Sequence, residues 1–166
     1  MRQNTITPFL LAVLLLISAF ISQANASDDN DGAHKVVYHA DFADPRRFSA
    51  MLTSINNMLT HYENEMLDYD IRIVFVAHGI RYVTDDKLTK TPFEEDADLA
   101  ERRANLKGRL MSLHDVKNVK LELCDITRSQ IGLDKAKLYP GVTSVPSGVV
   151  RVAELQHEGF AYIKVE

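Results

Sequence analysis

Cysteine is nearly absent from this chain and tryptophan is wholly absent: among 166 residues there is one cysteine, Cys124. A single cysteine excludes a disulfide bond within the chain, so the fold must be stabilised by a packed core or by association with further chains. The lack of tryptophan and an aromatic content of only 8% argue against a platform for stacked bases. The formal charge of −4 provides no basic surface for nucleic acid.

The chain also lacks the sequence motifs of several enzyme classes. There is no Gly-x-Ser-x-Gly elbow, no His-Glu-x-x-His segment and no Cys-x-x-Cys pair, which argues against serine hydrolases, zinc proteases and thioredoxin-type oxidoreductases. A glycine-rich phosphate loop with its lysine is missing as well. The function must therefore be sought in individual residues rather than in a motif of these classes.

The one long apolar run lies near the first residue. Arg2 precedes an almost unbroken apolar run at 9–21, and the segment 24–26 (ANA) has the small-x-small pattern of a cleavage site. These features are typical of a secretory signal peptide. An uncleaved membrane anchor is the alternative, but the run is short for a bilayer span. We predict a signal peptide at 1–26, a periplasmic or secreted location, and no membrane attachment after cleavage.

The remainder has the length of one domain. Removal of residues 1–26 leaves 140 of the 166 residues, and the loss of Arg2 lowers Lys+Arg from 19 to 18 against 23 Asp+Glu, a net charge of −5. Charges of both signs are interspersed, as on an ordinary protein surface. The polar segment at 27–34 predicts a flexible tether, and we predict a single domain at 35–166.

Short apolar runs alternate with longer amphipathic segments throughout this domain. The patterns predict strands at 35–40, 70–77, 119–124, 142–145 and 161–165, and helices at 45–67, 98–114 and 147–158. The stretch 126–138 has helical tendency with an interruption near Gly132. The stretch 78–96 is predicted to be a polar connection. Alternating strands and helices indicate an α/β fold with a parallel sheet covered by helices on both faces.

Polar and reactive residues follow several predicted strands at the point where each strand ends. His39 ends the first strand, and His78 follows the second. Cys124 ends the third, and Ser147 and Gly148 follow the fourth. Because parallel sheets hold their sites outside the carboxyl ends of the strands, we predict a site at this edge.

Cys124 is the candidate reactive group, since an exported thiol without a disulfide partner needs an explanation. A thiol attacks only as thiolate, and free backbone N–H groups at a strand-to-helix junction favour that anion. Protonated His39 or His78 would add to this, whereas the adjacent Asp125 opposes it. The alternative is a buried, inert cysteine. The two histidines and the cysteine would also suit zinc or copper, although no motif demands a metal and we predict none.

Three further residues are weaker candidates for binding. The backbone N–H groups at Ser147 and Gly148 could bind an anion at the start of a helix. The alternative is an N-cap serine followed by a glycine that permits close packing of helix on sheet. Asn57 lies off the apolar stripe of the first helix, where it faces either the edge of the sheet or solvent.

Several segments of the chain resemble the DsrE/DsrF-like family. They are 36–39 (VVYH), Asn57, 76–79 (VAHG), 138–150 (LYPGVTSVPSGVV) and 155–164 (LQHEGFAYIK). The resemblance extends over about 35–165 and is strongest to exported members. It implies a small DsrEFH-like domain, a three-layer α/β/α sandwich with a five-stranded parallel sheet that usually forms homo-oligomers.

The resemblance also implies sulfur chemistry, since some members carry sulfur as a cysteine persulfide and pass it to a partner thiol. Cys124 aligns with a cysteine of many such members. There Gly-Asn-Thr follows the cysteine, whereas here Asp125, Ile126 and Thr127 follow it, so that only the threonine is kept.

The expected function is therefore that of a periplasmic sulfur-handling or thiol-relay protein that carries sulfur on Cys124. Its pocket would be lined by His39 and His78, with Asn57, Ser147 and Gly148 as further binding residues, and no organic cofactor is needed. The expected partners are further copies of the chain, in a trimer or a hexamer, and a thiol or persulfide partner protein. The alternative is a non-catalytic oligomeric module for a small ligand or metal, in which the cysteine is structural.

Overall fold

The computed structural model describes residues 32–166, so the predicted signal peptide and most of the predicted tether lie outside the described residues. Within the described part, five strands form one sheet in which every pairing is parallel. The strand order is β4-β3-β2-β1-β5. The strands are β1 (His34–Ala40), β2 (Tyr69–Phe75), β3 (Lys120–Cys124), β4 (Val142–Val145) and β5 (Ala161–Ile163).

Four α-helices and two 3₁₀ helices connect these strands. The α-helices are α1 (Pro45–Asn64), α2 (Ala97–Lys117), α3 (Asp125–Gln130) and α4 (Gly148–His157), and the 3₁₀ helices are Ala77–Tyr82 and Lys135–Lys137. The predicted α/β class with a five-stranded parallel sheet is confirmed. No helix among residues 32–166 is long and apolar enough to span a bilayer.

The strand order places the helices on two faces. The chain adds β2, β3 and β4 in one direction and then returns past them to add β5 beside β1. Because parallel crossovers are right-handed, this reversal puts α4 on the face opposite to α1 and α2. The large core, which includes Tyr38, Phe48 and Phe75, lies on the α1–α2 face. A smaller cluster, with Val74 and Leu155 among its members, lies beneath α4.

The first helix shows how the sequence sets these boundaries. Asp44 caps α1 by accepting a hydrogen bond from the backbone N–H of Arg46 at 2.8 Å, and Pro45 occupies the first helical position. The helix ends at Asn64, three residues before the predicted end. Met66 adopts a left-handed backbone with φ of 54°, and this conformation ends the helix.

Two connections differ from their predictions. The stretch predicted as polar contains the buried residues Ile80, Tyr82 and Val83, and the Tyr82 ring stacks on Phe48 with 4.0 Å between ring centroids. The interruption predicted near Gly132 within 126–138 is present, because Gly132 has a left-handed φ of 67°, but the part that follows it is a 3₁₀ helix of three residues rather than a continuation of α3. The apolar pattern around Ile80 was too brief to reveal the tertiary contacts of that stretch.

Candidate functional site

Cys124 lies at the junction of β3 and α3, at the carboxyl edge of the sheet. It is the last residue of β3, pairs with Val145 of β4, and precedes the first residue of α3. Its side chain points to the face that α4 covers, and the residue is only 4% exposed. A Cβ atom added to Gly148 would lie 2.9 Å from the Cys124 Cβ and 2.5 Å from Val76 Cγ2. A glycine at the first position of α4 is therefore what lets this helix approach the thiol.

The surroundings of Cys124 favour its thiolate form. Burial alone would raise the pKa of the thiol, but hydrogen bonds from the backbone N–H groups of Gly148, Thr127 and Ile126 and from the Thr127 hydroxyl oppose this. Their combined effect holds the pKa of Cys124 below its ordinary value of 9.0. The donors come from two different helix starts, so the site depends on the tertiary packing of α4 against α3.

The acidic neighbour of the thiol is neutralised by basic side chains. The Asp125 carboxylate accepts a hydrogen bond from Arg128 Nε at 2.7 Å and lies 3.6 Å from Lys135 Nζ. The bond to Arg128 is the main reason why the pKa of Asp125 lies below its ordinary range. The unfavourable effect on the thiolate that the sequence predicted is therefore offset by the basic side chains of Arg128 and Lys135.

Thr127 connects this site to the segment that follows β2. The residue is 5% exposed, and its Oγ1 accepts a hydrogen bond from the backbone N–H of Ala77 at 3.0 Å. Ala77 has a left-handed φ of 48°. Sequence reasoning did not select Thr127 as a functional residue, although it is the one position after Cys124 that keeps the family pattern.

An ion-pair network lies one level below the thiol on the same face of the sheet. The buried Glu122 carboxylate accepts hydrogen bonds from Arg72 of β2 at 3.1 Å and from Arg151 of α4 at 2.8 Å. Glu122 precedes Cys124 by two residues, and so their side chains share a face. This network, which attaches α4 to β3, was also missed. The signal in the sequence that could have revealed it is the charged residue Glu122 inside an otherwise apolar strand.

His39 shares the face of Cys124 but does not reach it. In the strand register His39 stands level with Val74 and Glu122, two residues short of Cys124 and two strands away. Two strand spacings correspond to about 10 Å. The His39 Nδ1 lies 3.4 Å from the Tyr162 hydroxyl, and its Nε2 is buried without a hydrogen-bond partner. Burial is the main cause that lowers the pKa of His39.

His78 is the neighbour in sequence of a residue that contacts the site. It follows Ala77, whose backbone N–H binds Thr127, and its ring packs edge-on against Phe93 with 5.2 Å between ring centroids. The His78 Nδ1 is buried without a hydrogen-bond partner. Among residues 32–166, no three His, Cys, Asp or Glu side chains are grouped so that they could hold a metal ion.

The remaining predicted residues have different surroundings. Ser147 is the N-cap of α4 and accepts a hydrogen bond from the backbone N–H of Val150 at 3.4 Å. Gly148 both permits the close packing of α4 and directs its N–H to the thiol. Asn57 is exposed on α1, on the opposite face of the sheet from Cys124. The structure therefore brings Gly148 to Cys124 and leaves Asn57 apart from both.

Comparisons with known proteins agree with this architecture. The model of the DsrE/DsrF-like family matches residues 36–165. The structure of MTH1491, a protein of unknown function from Methanobacterium thermoautotrophicum, is similar with 24% identity and a TM-score of 0.60, covering 79% of this chain and 98% of that one. The ychN protein from E. coli is 20% identical with a TM-score of 0.49, covering the same shares. No curated protein matches this chain.

Proposed function

Since this chain belongs to the DsrE/DsrF-like family, we propose that it is a sulfur-handling protein that carries one sulfane sulfur atom on Cys124. Membership associates the chain with sulfur relay in general terms. The observation that supports the specific role is the position of Cys124 immediately before the first residue of α3, with the first residue of α4, Gly148, packed against it. A thiolate held ready by backbone N–H groups is the form of cysteine that attacks sulfur.

The transfer is an exchange in which no net oxidation occurs. The Cys124 thiolate attacks the terminal sulfur of a donor persulfide, a new S–S bond forms, and the S–S bond of the donor breaks. The donor leaves as a thiolate, and the proton of the transferred sulfur stays with it or passes to solvent. An acceptor thiolate then attacks the terminal sulfur of the Cys124 persulfide and releases the Cys124 thiolate.

The sequence also supports a proposal for the cellular location and the partners of this protein. The pattern at 1–26 supports export, so we propose a periplasmic or secreted location. We further propose a homo-oligomer, a trimer or a hexamer, and a partner protein with a thiol or persulfide. His78 directly follows Ala77, whose N–H bonds to Thr127, and His39 lies on the face of Cys124 about two strand spacings away. Each has a buried ring nitrogen without a partner, which supports a role in lining the approach to the thiol.

Sulfur loading tests this proposal directly. The purified mature protein, reduced and then freed of reductant, is incubated with inorganic polysulfide and analysed by intact-protein mass spectrometry. We expect a gain of one sulfur atom that dithiothreitol removes. The Cys124→Ser variant is the matched control and should gain nothing, because the chain has no other cysteine.

The second candidate is a purely structural role for Cys124, and one observation favours it. Cys124 is 4% exposed and lies against the backbone of Gly148. If the native protein gains no sulfur, and iodoacetamide modifies Cys124 only after the chain unfolds in urea, the relay is contradicted. The protein would then be a non-catalytic module whose cysteine serves packing.

A further inference from the structure

A cleft lies between α1 and α2, on the face of the sheet opposite to the side chain of Cys124. Its volume is about 210 Å³. This is smaller than the usual pocket for a drug-sized molecule, so the cleft can hold only a small ligand. Both helices contribute to its lining, which includes Leu52, Thr53, Asn56, Arg109, Ser112 and Leu113. Among the described residues that line it, none is acidic.

Arg109 reaches from α2 to α1 at one end of this cleft and contacts only neutral acceptors. Its Nη1 donates to Ser49 Oγ at 2.6 Å, and its Nη2 donates to the Ser49 carbonyl at 2.9 Å and to Thr53 Oγ1 at 2.8 Å. The neighbouring arginines of α2 differ, because Arg102 and Arg103 each pair with a carboxylate, at 2.8 Å and 2.5 Å. The charge of Arg109 is therefore fixed in place but is not neutralised by an acid among residues 32–166.

The guanidinium of Arg109 keeps donors for a ligand. It carries more N–H groups than its bonds to α1 use. An N–H on Nε and another on Nη1 remain without an acceptor in the described part of the chain. The second basic residue of the lining, Lys117, is already paired with Glu63 at 2.5 Å. The cleft therefore has an excess of a single positive charge, which suits a monovalent anion better than a divalent one.

The rest of the lining combines apolar and neutral polar groups. Leu52 and Leu113 are buried, at 1% and 4% exposure, and form the floor of the cleft. Asn56 and Ser112 are exposed and form its sides. The short side chain of Ser112 leaves the space between the helices open. A ligand with a short apolar chain would contact the leucines while its charged end contacts Arg109.

We propose that this cleft is a binding site for a small monovalent carboxylate with a short apolar chain, held by Arg109. The carboxylate accepts hydrogen bonds from the unused N–H groups of the guanidinium, a charge-assisted contact that arginine makes with anions in general. The apolar chain packs on Leu52 and Leu113 and removes water from them. Because the cleft and Cys124 lie on opposite faces of the sheet, this site goes beyond the sulfur-carrying function and does not depend on it.

Titration with butyrate, followed by NMR of the isotope-labelled mature protein, tests the site. Butyramide, the neutral isostere, is the control ligand, and pH and ionic strength are held constant. We expect butyrate to shift the signals of the Asn56 side-chain amide and of Arg109 Nε–H. The shifts should saturate with a Kd on the order of 1 mM, because one partly screened charge and a short chain supply little binding energy. Butyramide should bind at least about tenfold more weakly, since it lacks the charge.

Three variants locate the binding. Arg109→Gln removes the charge and should weaken butyrate binding at least about tenfold. Ser112→Leu fills the cleft, keeps all the bonds between Arg109 and α1, and should abolish binding. Arg102→Gln removes a paired cation of the same helix outside the cleft, and its Kd should stay within about twofold of the native value.

Four results would overturn the proposal. Butyrate that moves no signal of the cleft residues, even far above the expected Kd, shows that no site exists. Equal binding of butyrate and butyramide shows that the charge is not recognised. An equal loss in Arg102→Gln and Arg109→Gln shows only a general attraction to positive charge. Unchanged binding in Ser112→Leu shows that butyrate binds elsewhere, and this variant alone decides the question if Arg109→Gln does not fold.

Discussion

At the scale of single residues, the candidate site depends on how closely the backbone of α4 approaches the thiol. Gly148 packs against Cys124, its backbone N–H contributes to the lowered pKa of the thiol, and a methyl group at this position would lie 2.5 Å from Val76 Cγ2. Such a distance requires the neighbouring atoms to move. The same glycine thus serves packing and electrostatics together.

Gly148→Ala should separate α4 from β3. We expect a loss of about 1–3 kcal/mol in the free energy of unfolding, because overpacked sites force backbone shifts of this cost. We also expect the pKa of Cys124 to rise toward its ordinary value, since the N–H of residue 148 moves away from the sulfur. Urea unfolding and thiolate absorbance measure the two effects.

Gly108→Ala is the matched control for this substitution. Gly108 lies within α2, and apart from the adjacent backbone of its own helix no atom lies within 4 Å of the position where its Cβ would stand. An alanine there should stabilise the helix by up to about 1 kcal/mol and leave the thiol midpoint unchanged. Equal effects of the two substitutions would contradict the close approach of α4 to Cys124.

At the scale of elements, α4 is held over the sheet by charge as well as by apolar contact. Its apolar residues Val152 and Leu155 pack on Val37 and Val74. Arg151 pairs with the buried Glu122, which also pairs with Arg72. Removing one member of a buried ion pair leaves its partner without compensation in a poorly solvated place. The contact between Gly148 and Cys124 therefore depends in part on the ion pair between Arg151 and Glu122.

Glu122→Gln should weaken this attachment. We expect the free energy of unfolding to fall by about 1–3 kcal/mol, less than for a fully buried pair because the two arginine side chains are 21% and 18% exposed. Chemical denaturation measures the loss. Glu63→Gln, which removes the exposed pair with Lys117, is the control and should change stability little. A Glu122→Gln variant as stable as the native protein would show that apolar packing alone holds α4.

The elements themselves were largely predictable, and the contacts between them were not. Long apolar stripes such as that of α1 and branched runs such as β2 were apparent in the sequence, because each pattern persists over several turns or residues. The buried 3₁₀ helix Ala77–Tyr82 was not, because its burial comes from residues distant in the chain, such as Phe48. Periodicity reveals which face of an element is apolar but not what covers it.

At the scale of the whole molecule, the strand order decides which predicted residues meet. The sequence predicted that His39, His78, Cys124 and Gly148 share one edge of the sheet. The order β4-β3-β2-β1-β5 puts two strand spacings between His39 and Cys124, while the return crossover brings α4 onto Cys124. That order depends on long-range pairing, which local patterns do not encode.

The low pKa of Cys124 links the site to the stability of the whole fold. The pKa of the folded thiol lies below its ordinary value of 9.0, so the unfolded chain binds more protons between the two values. Stability therefore rises with pH across this window. The contribution is fully present above the unfolded value and is lost as pH falls through the folded value.

We expect the native protein to gain stability over Cys124→Ser as pH rises from neutral to about 9. Urea unfolding of both proteins under reducing conditions, at matched ionic strength, measures the difference at each pH. The subtraction removes the titration of every other group, because serine does not ionise in this range. A difference that stays constant with pH, or that shrinks as pH rises, would mean that the folded protein does not stabilise the thiolate. In that case the hydrogen bonds from α3 and α4 would serve packing, and the sulfur-carrying role would lose its physical basis.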